Sequence, residues 1–352
     1  MDGSDKEVGA ADPQTSSVAA QKTINLALQG GGMHGAFSWG VLDRLLQEER
    51  LAFDGITASS AGAVNAVVLA DGLAAGGRDG ARRALRSFWQ ELSARSSRSI
   101  FRPSLIDRMN KKHGLDHSPG FLLMEALTYF ASPYQVNPFN FNPLRNLLEE
   151  FVDFDRVRRQ RNVKLFICAT DVRTAKVKVF SGEQISAVHV LASTCLPLLM
   201  HAVEIDGEYY WDGGYAGNPA IFPLVYECEA RDILLIQITP AERAEIPTTS
   251  MAIMNRIQEI SFNTALIREM RAVSFINRRI DEGKMQGKLM RVHVVEAEDL
   301  ISKLSASSRL NGDWSFLTFL HESGRERADD WLKANFDRIG VESTVDLEEK
   351  YF

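Results

Sequence analysis

The chain has little cysteine. Cys168, Cys195 and Cys228 are its three, and none lies in a C-x-x-C spacing. A disulfide framework and a thiolate metal centre are therefore not expected, and free thiols of a reducing compartment are. Surplus positive charge is missing too: 40 Lys and Arg against 46 Asp and Glu leave a net charge of −6. No nucleic-acid partner is expected on that balance. No apolar run reaches the roughly 18 residues of a membrane span, and the longest candidates, Ala63–Ala75 and His189–Met200, stop short. Residues 1–21 lack the basic start and apolar core of a secretory signal. Their polar, small, turn-rich composition predicts a disordered leader. A cytoplasmic protein is the expectation, one that can touch a membrane surface transiently. The chain also shows no internal repeat, no low-complexity run past the leader and no linker between folded units.

What is present is a large potential core, 45% hydrophobic residues in 352. Short apolar runs at Ile24–Gln29, Val163–Ala169 and Asp232–Thr239 read as strands buried on both faces, with MRVHVV (Met290–Val295) as a last strand. Between them lie helical patterns, including one long helix over Met251–Ile280 and a final helical pair over Gly312–Lys333. Strands alternating with helices predict an α/β fold, a three-layer α/β/α sandwich around a mostly parallel sheet, with helical C-terminal additions.

Three stretches carry chemistry. In ITASSAGAVNAVVL (Ile56–Leu69) a strand meets a knot of small residues and then a helix. A sharp turn there strains one residue and lifts its hydroxyl above the sheet edge, at a helix N-terminus. Ser60 is the candidate nucleophile rather than Ser59, because Gly62 follows it two places later; Ala58 and Ala61 complete the elbow. In Gly30-Gly31-Gly32-Met33-His34-Gly35, glycines follow a strand and open a helix, so backbone N–H groups can converge on an anion. A nucleotide phosphate is one option: Gly30, Gly32 and Gly35 satisfy G-x-G-x-x-G, and Asp54 follows at about the distance of a ribose-binding acid. Asp54, however, precedes the Ile56 strand instead of ending one, and no Gly-Lys-Ser/Thr closes the loop. An acyl-transfer oxyanion fits better with Ser60 one βα unit downstream. Third, Trp211-Asp212-Gly213-Gly214 closes an aromatic segment. It is an ordinary Asp-Gly turn or a carboxylate pushed into a cleft.

Together these motifs resemble one family, the patatin-like phospholipases and lipid acyl hydrolases. Its signature is a GGGxxG oxyanion loop, a GxSxG elbow and a DG[GA] motif, matched here by Gly30–Gly35, Ala58–Gly62 and Asp212–Gly214. The similarity extends through Leu165–Gly182 and Leu191–Gly214 and covers about residues 22–240. Two positions depart from the pattern: Ala58 replaces a glycine, and His34 stands where the family usually carries Arg or Lys. The resemblance implies a serine esterase acting on fatty-acyl lipids through an acyl-Ser60 intermediate. It implies a Ser60–Asp212 dyad without histidine, and an oxyanion hole built from Gly30, Gly31, Gly32 and Gly35. It implies no metal and no cofactor, hence calcium independence. Residue chemistry alone also allows a triad Ser60–Asp212–His293, in the chain order of the α/β-hydrolases, although His293 lies within an alternating strand. Two other outcomes share the fold: an acyltransferase using the same acyl-enzyme, and a catalytically weak lipid-binding scaffold.

The expected organisation is a leader (1–21), a catalytic domain (22–240) and a helical C-terminal extension packed on it (241–352). Within the domain, residues 95–142 are rich in Ser, Pro, Asn and basic residues around the apolar Phe121–Phe130. They suit a lid or acyl-chain pocket, or else a permanently packed helical insertion.

Overall fold

The computed structural model describes residues 21–109, 113–243 and 246–352; the expected leader, but for Gln21, lies outside them. A single sheet forms from β1 (Lys22–Leu28), β2 (Leu51–Ser59), β3 (Lys164–Asp171), β4 (Val177–Ser181), β5 (Val203–Ile205), β6 (Glu208–Asp212), β7 (Asp232–Gln237) and β8 (Arg291–Glu296). The strands lie in the order β5-β6-β3-β2-β1-β7-β8, with β4 also paired to β3. Strands β3, β2, β1, β7 and β8 are parallel, and β4, β5 and β6 join antiparallel at the β3 side.

Alternation along the strands sends successive side chains to opposite faces, and two apolar cores result. Leu26 and Leu28 of β1, with Leu234 and Ile236 of β7, enter the larger one. Helices Gly35–Leu45, Ala61–Ser97, Ala187–Ser193 and Trp314–Asn335 cover that face. Ala27, Ile233 and Leu235 point the other way, into a smaller core closed by residues of Phe222–Glu227, Ser250–Asp281 and Leu347–Tyr351. The fold is mixed α/β, a central sheet flanked by helices.

The C-terminal third is woven into this body. β8 extends the sheet beside β7. The helix Trp314–Asn335 packs along Gly35–Leu45, where the Trp39 ring stacks on Trp89 and lies against Trp314 and His321. Sequence pattern predicts a helical pair over Gly312–Lys333; one continuous helix is found instead. This helix and Gly35–Leu45 cross closely at Gly40, where a Cβ would stand 1.9 Å from the His321 carbonyl oxygen, and at the mid-helix Gly324, where it would stand 2.1 Å from that of Phe37.

Two further points bear on the site. β2 starts at Leu51, so Asp54 lies inside it, not before it. Its carboxylate accepts from the N–H groups of Glu229 (2.5 Å) and Ala230 (2.8 Å) and lies 3.5 Å from Lys164. Lys164 opens β3, so Asp54 is at the N-terminal end of the parallel strands, away from the glycine loop, and the ribose-acid reading fails. Residues 100–141 contain the helices Leu105–Met109, Pro119–Phe130 and Pro133–Val136 and leave Leu105, Met109, Phe130 and Phe139 each more than 80% exposed. No described helix is long and apolar enough to cross a membrane.

Candidate active site

The parallel strands bring the loops after β1 and β2 to the same, C-terminal edge of the sheet, where ligands of such folds bind. β2 ends at Ser59 and a helix begins at Ala61; Ser60, between them, has φ 54° and ψ −125°. A non-glycine residue in that region carries on the order of 1–3 kcal/mol of strain, retained only where the surroundings enforce it. Here the Ser60 N–H donates to Ser193 Oγ (2.9 Å), and the Ser59 hydroxyl donates to the Gly217 carbonyl (2.5 Å). The following helix presses on β1 so closely that a Cβ on Gly62 would meet the Leu28 carbonyl at 2.4 Å. Ala58, by contrast, is a β2 residue paired with Leu28 and Ile167, and its methyl is buried in the larger core. The position is therefore spacious enough for alanine; the tight points are Gly62 and Gly30.

The glycine loop lies against this elbow. A Cβ on Gly30 would stand 2.6 Å from Ser60 Cβ, and Gly32 has φ +60°. The four glycines differ in their N–H groups. That of Gly30 donates to Asn218 Oδ1 (2.8 Å), and that of Gly35 donates to the Gly32 carbonyl at the start of its helix. Those of Gly31 and Gly32 have no acceptor among the described residues. These two are free to receive an oxygen; the other pair shapes the loop. Asn218 is absent from the sequence reading. Its one signal is its place directly after the glycine-rich stretch Gly213–Gly217.

Asp212 reaches the elbow through register. On β6 it pairs with Ala169 of β3, whose neighbour Cys168 pairs with Ser59. Two strand spacings of about 4.8 Å separate the backbones, and the side chains close the gap. The Asp212 carboxylate is fully buried. Its Oδ1 accepts from the Gly214 N–H (2.8 Å), and its Oδ2 has no partner among the described residues. Burial pushes its pKa up to about 7, while the Ser60 hydroxyl and the Gly214 N–H pull the other way. Ser60 is thus close enough to act on the carboxylate, yet no hydrogen bond of ordinary geometry joins it to Oδ2. Such bonds often tighten only when substrate is bound. The Phe262 ring lies over Gly214 and meets Tyr215 edge-on at 5.2 Å. Of the aromatic residues Tyr209, Tyr210 and Trp211 that precede Asp212, strand alternation puts Tyr210 alone on the buried side that Asp212 shares; the Tyr209 hydroxyl bonds Glu204 (3.2 Å).

No histidine is bonded to Ser60 or Asp212 among the described residues. His293 lies near the opposite end of the sheet, between Asp232 Oδ1 (3.0 Å) and Thr344 Oγ1 (3.1 Å). The three members of the alternative triad are not brought together. His34 is buried, with Nε2 2.7 Å from Ser308 Oγ. Burial, and then the charges of Arg309 and Arg243, hold its pKa well below the usual value, so it is neutral. The segment Ala306–Leu310, from the C-terminal third, covers the glycine loop; no pattern in the sequence announces this. A cleft of about 490 Å³ opens nearby between residues 90–108 and Asp313–Trp314, without reaching Ser60 or Asp212.

A family model described as patatin-like phospholipase matches residues 26–225, more than half of the chain. No curated protein sequence matches it. Among solved structures, VipD from Legionella pneumophila is 14% identical over 94% of this chain and 73% of its own, with a TM-score of 0.37. The heterodimeric ExoU–SpcU complex of the Pseudomonas aeruginosa type III secretion system matches at 14% identity over 92% of this chain and 53% of its own, with a TM-score of 0.36. The chain spans about half of that second neighbour, and at these scores neither likeness bears on the reaction.

Proposed function

The chain belongs to the patatin-like phospholipase family, and on that premise we propose that it hydrolyses fatty-acyl lipid esters with a Ser60–Asp212 dyad. The family's chemistry is lipid acyl hydrolysis; the residues and steps that follow are our assignment. An ester carbonyl oxygen lies at the N–H groups of Gly31 and Gly32. Ser60 Oγ attacks the carbonyl carbon as its proton passes to Asp212. The tetrahedral intermediate collapses, the proton goes to the leaving alcohol, and an acyl–Ser60 ester remains. Water, deprotonated by Asp212, then releases the fatty acid and regenerates both side chains. Backbone donors at the oxyanion are worth roughly 3–4 kcal/mol each. No metal enters any of these steps.

One observation carries this assignment: a fully buried carboxylate, one of whose oxygens has no partner among the described residues, beside a serine held at φ 54°; burial pushes its pKa up to about 7. A carboxylate in the ordinary range would be too weak a base for a serine hydroxyl. The exposed apolar side chains Leu105, Met109, Phe130 and Phe139 suit contact with a lipid surface.

The test uses a fluorophosphonate probe and an acyl-ester assay on the purified protein. The probe is expected on Ser60, and Ser60→Ala is expected to lose at least about 10³-fold in kcat with unchanged circular dichroism and melting temperature. A labelled site elsewhere, or substantial esterase activity in Ser60→Ala, overturns the assignment. Product analysis with an added lysolipid acceptor separates water from an alcohol as the final acyl acceptor.

A further inference from the structure

The two N–H groups left open at the glycine loop are not held in the same way. In a planar trans peptide the C=O and the following N–H point in opposite directions, and the one cis bond among the described residues is Asn218–Pro219. Whatever grips the Gly30 carbonyl therefore aims the Gly31 N–H, and whatever grips the Gly31 carbonyl aims the Gly32 N–H. The second grip is internal to the loop: the Gly31 carbonyl accepts from the His34 N–H (3.3 Å) across the short turn Gly32–His34. The first comes from a distant part of the chain. Thr239, two residues past β7, donates its hydroxyl to the Gly30 carbonyl (3.0 Å), and no other donor among the described residues reaches that oxygen.

Thr239 is itself fixed. Its N–H and that of Ile238 both donate to Gln29 Oε1 (2.9 Å each), so the residue ahead of the glycines clasps the end of β7. On the same side, Ile238 Cδ1 would stand 3.0 Å from a Cβ on Gly31. Asn218 completes the frame: Oδ1 accepts from the Gly30 N–H (2.8 Å), and Nδ2 lies 3.5 Å from the Thr239 hydroxyl oxygen. Gln29, Asn218 and Thr239 are all buried. Burying polar side chains is costly unless they are hydrogen-bonded, and these three are bonded around a single glycine peptide. Packing alone does not call for a hydroxyl at position 239, because valine has nearly the same shape. Thr239 also lies beyond residues 26–225 that match the family model.

We propose that Thr239 is a positioning residue for the oxyanion hole: by holding the Gly30 carbonyl it keeps the Gly31 N–H aimed at the ester oxygen. This rests on the Ser60 acyl-enzyme reading and deepens it. Without the hydroxyl, the Gly30–Gly31 peptide has glycine on both sides and few steric bars to rotation. Its buried carbonyl, left without a donor, gains by turning towards a new one. The aim of the Gly31 N–H is then lost at the stage when charge builds on the oxygen, not when substrate binds. The loss falls on kcat rather than on KM.

The experiment takes kcat and KM in the acyl-ester assay, together with inhibition by a fatty-acyl trifluoromethyl ketone. Ser60 Oγ adds to the ketone carbon as its proton passes to Asp212, and the former carbonyl oxygen becomes an oxyanion at the glycine loop. Thr239→Val is expected to lower kcat about tenfold or more, to leave KM within about twofold and to weaken the ketone by the same factor as kcat. Thr239→Ser, which keeps the hydroxyl and drops the methyl, is expected to recover most of both. Serine and alanine differ by the hydroxyl alone, so Thr239→Ala against Thr239→Ser gives the same reading if the valine protein does not fold. A serine variant as impaired as the valine one, with the melting temperature falling in both, makes Thr239 a packing residue and overturns the proposal. If the ketone inhibits the unaltered protein through Ser60 while the Thr239 variants change neither kcat nor inhibition, the hydrolase reading stands and the positioning role falls. If the unaltered protein neither cleaves esters nor binds the ketone, both fall.

Discussion

Two aspartates buried on the same sheet have opposite fates. Asp212, at the end of β6, keeps one oxygen without a partner among the described residues, and burial pushes its pKa up to about 7. Asp232, at the start of β7, would also be raised by burial. Hydrogen bonds from His293, Arg291 and the Gly340 N–H outweigh that and hold its carboxyl well below the usual range. Burial sets the stakes for both; the number of donors decides the sign. A carboxylate wrapped in donors is a structural anchor and a poor base. One left half-satisfied beside a hydroxyl is poised to take a proton, and the fold bears the cost.

The sharpest way to break this contrast is to neutralise each aspartate. Asp212→Asn is expected to lower kcat by about 10³-fold or more, read in the acyl-ester assay. A loss under tenfold there would mean that Asp212 is not the base. Asp232→Asn is expected to leave kcat per folded molecule unchanged while destabilising the protein by about 3 kcal/mol near pH 7, because Arg291 loses its buried partner. Denaturant melts check that figure. Asp232 has a depressed folded pKa, so its contribution is present above the unfolded carboxylate value of about 4 and fades as pH falls below it. The gap between Asp232→Asn and the unaltered protein should shrink accordingly in acid.

Subtler effects follow from the raised pKa. A base must be unprotonated, so kcat/KM should rise with pH through about 7 and level off above it. A profile flat from pH 5 to 8 would rule out Asp212 as the titrating base. For stability the sign is opposite to that of Asp232. The folded protein holds the Asp212 proton more tightly than the unfolded chain, so stability declines as pH rises from about 4 to about 7. Asp212→Asn removes that penalty while Oδ1 can still accept from Gly214. Its melting temperature should exceed that of the unaltered protein by several degrees at pH 8, with the difference narrowing towards pH 5. Equal gaps at both pH values would mean that Asp212 is not titrating in this range.

Most of the site's parts are visible in the sequence because they are local. Strand, small-residue knot and helix around Ser60 are a contiguous pattern, and so is the glycine run after β1. The long helix Ser250–Asp281 and the strand Arg291–Glu296 are equally plain from periodicity and length. Asn218, Phe262 and Thr239 escaped because each acts through a contact with residues far away in the chain, with no spacing rule to announce it. Pattern predicts a helical pair where the single helix Trp314–Asn335 is found; its Gly324 lets another backbone pass, a fact of packing rather than of propensity.

By itself the sequence determined the element types and the two edge loops, since apolar periodicity and glycine placement act over a few residues. Only the tertiary structure decided which N–H groups of the glycine loop remain free, which aspartate is left half-partnered, and that Thr239 holds the Gly30 carbonyl. These are matters of which donor fills which vacancy. Hydrogen bonds and desolvation act across space, between strands and helices that chain order does not bring together.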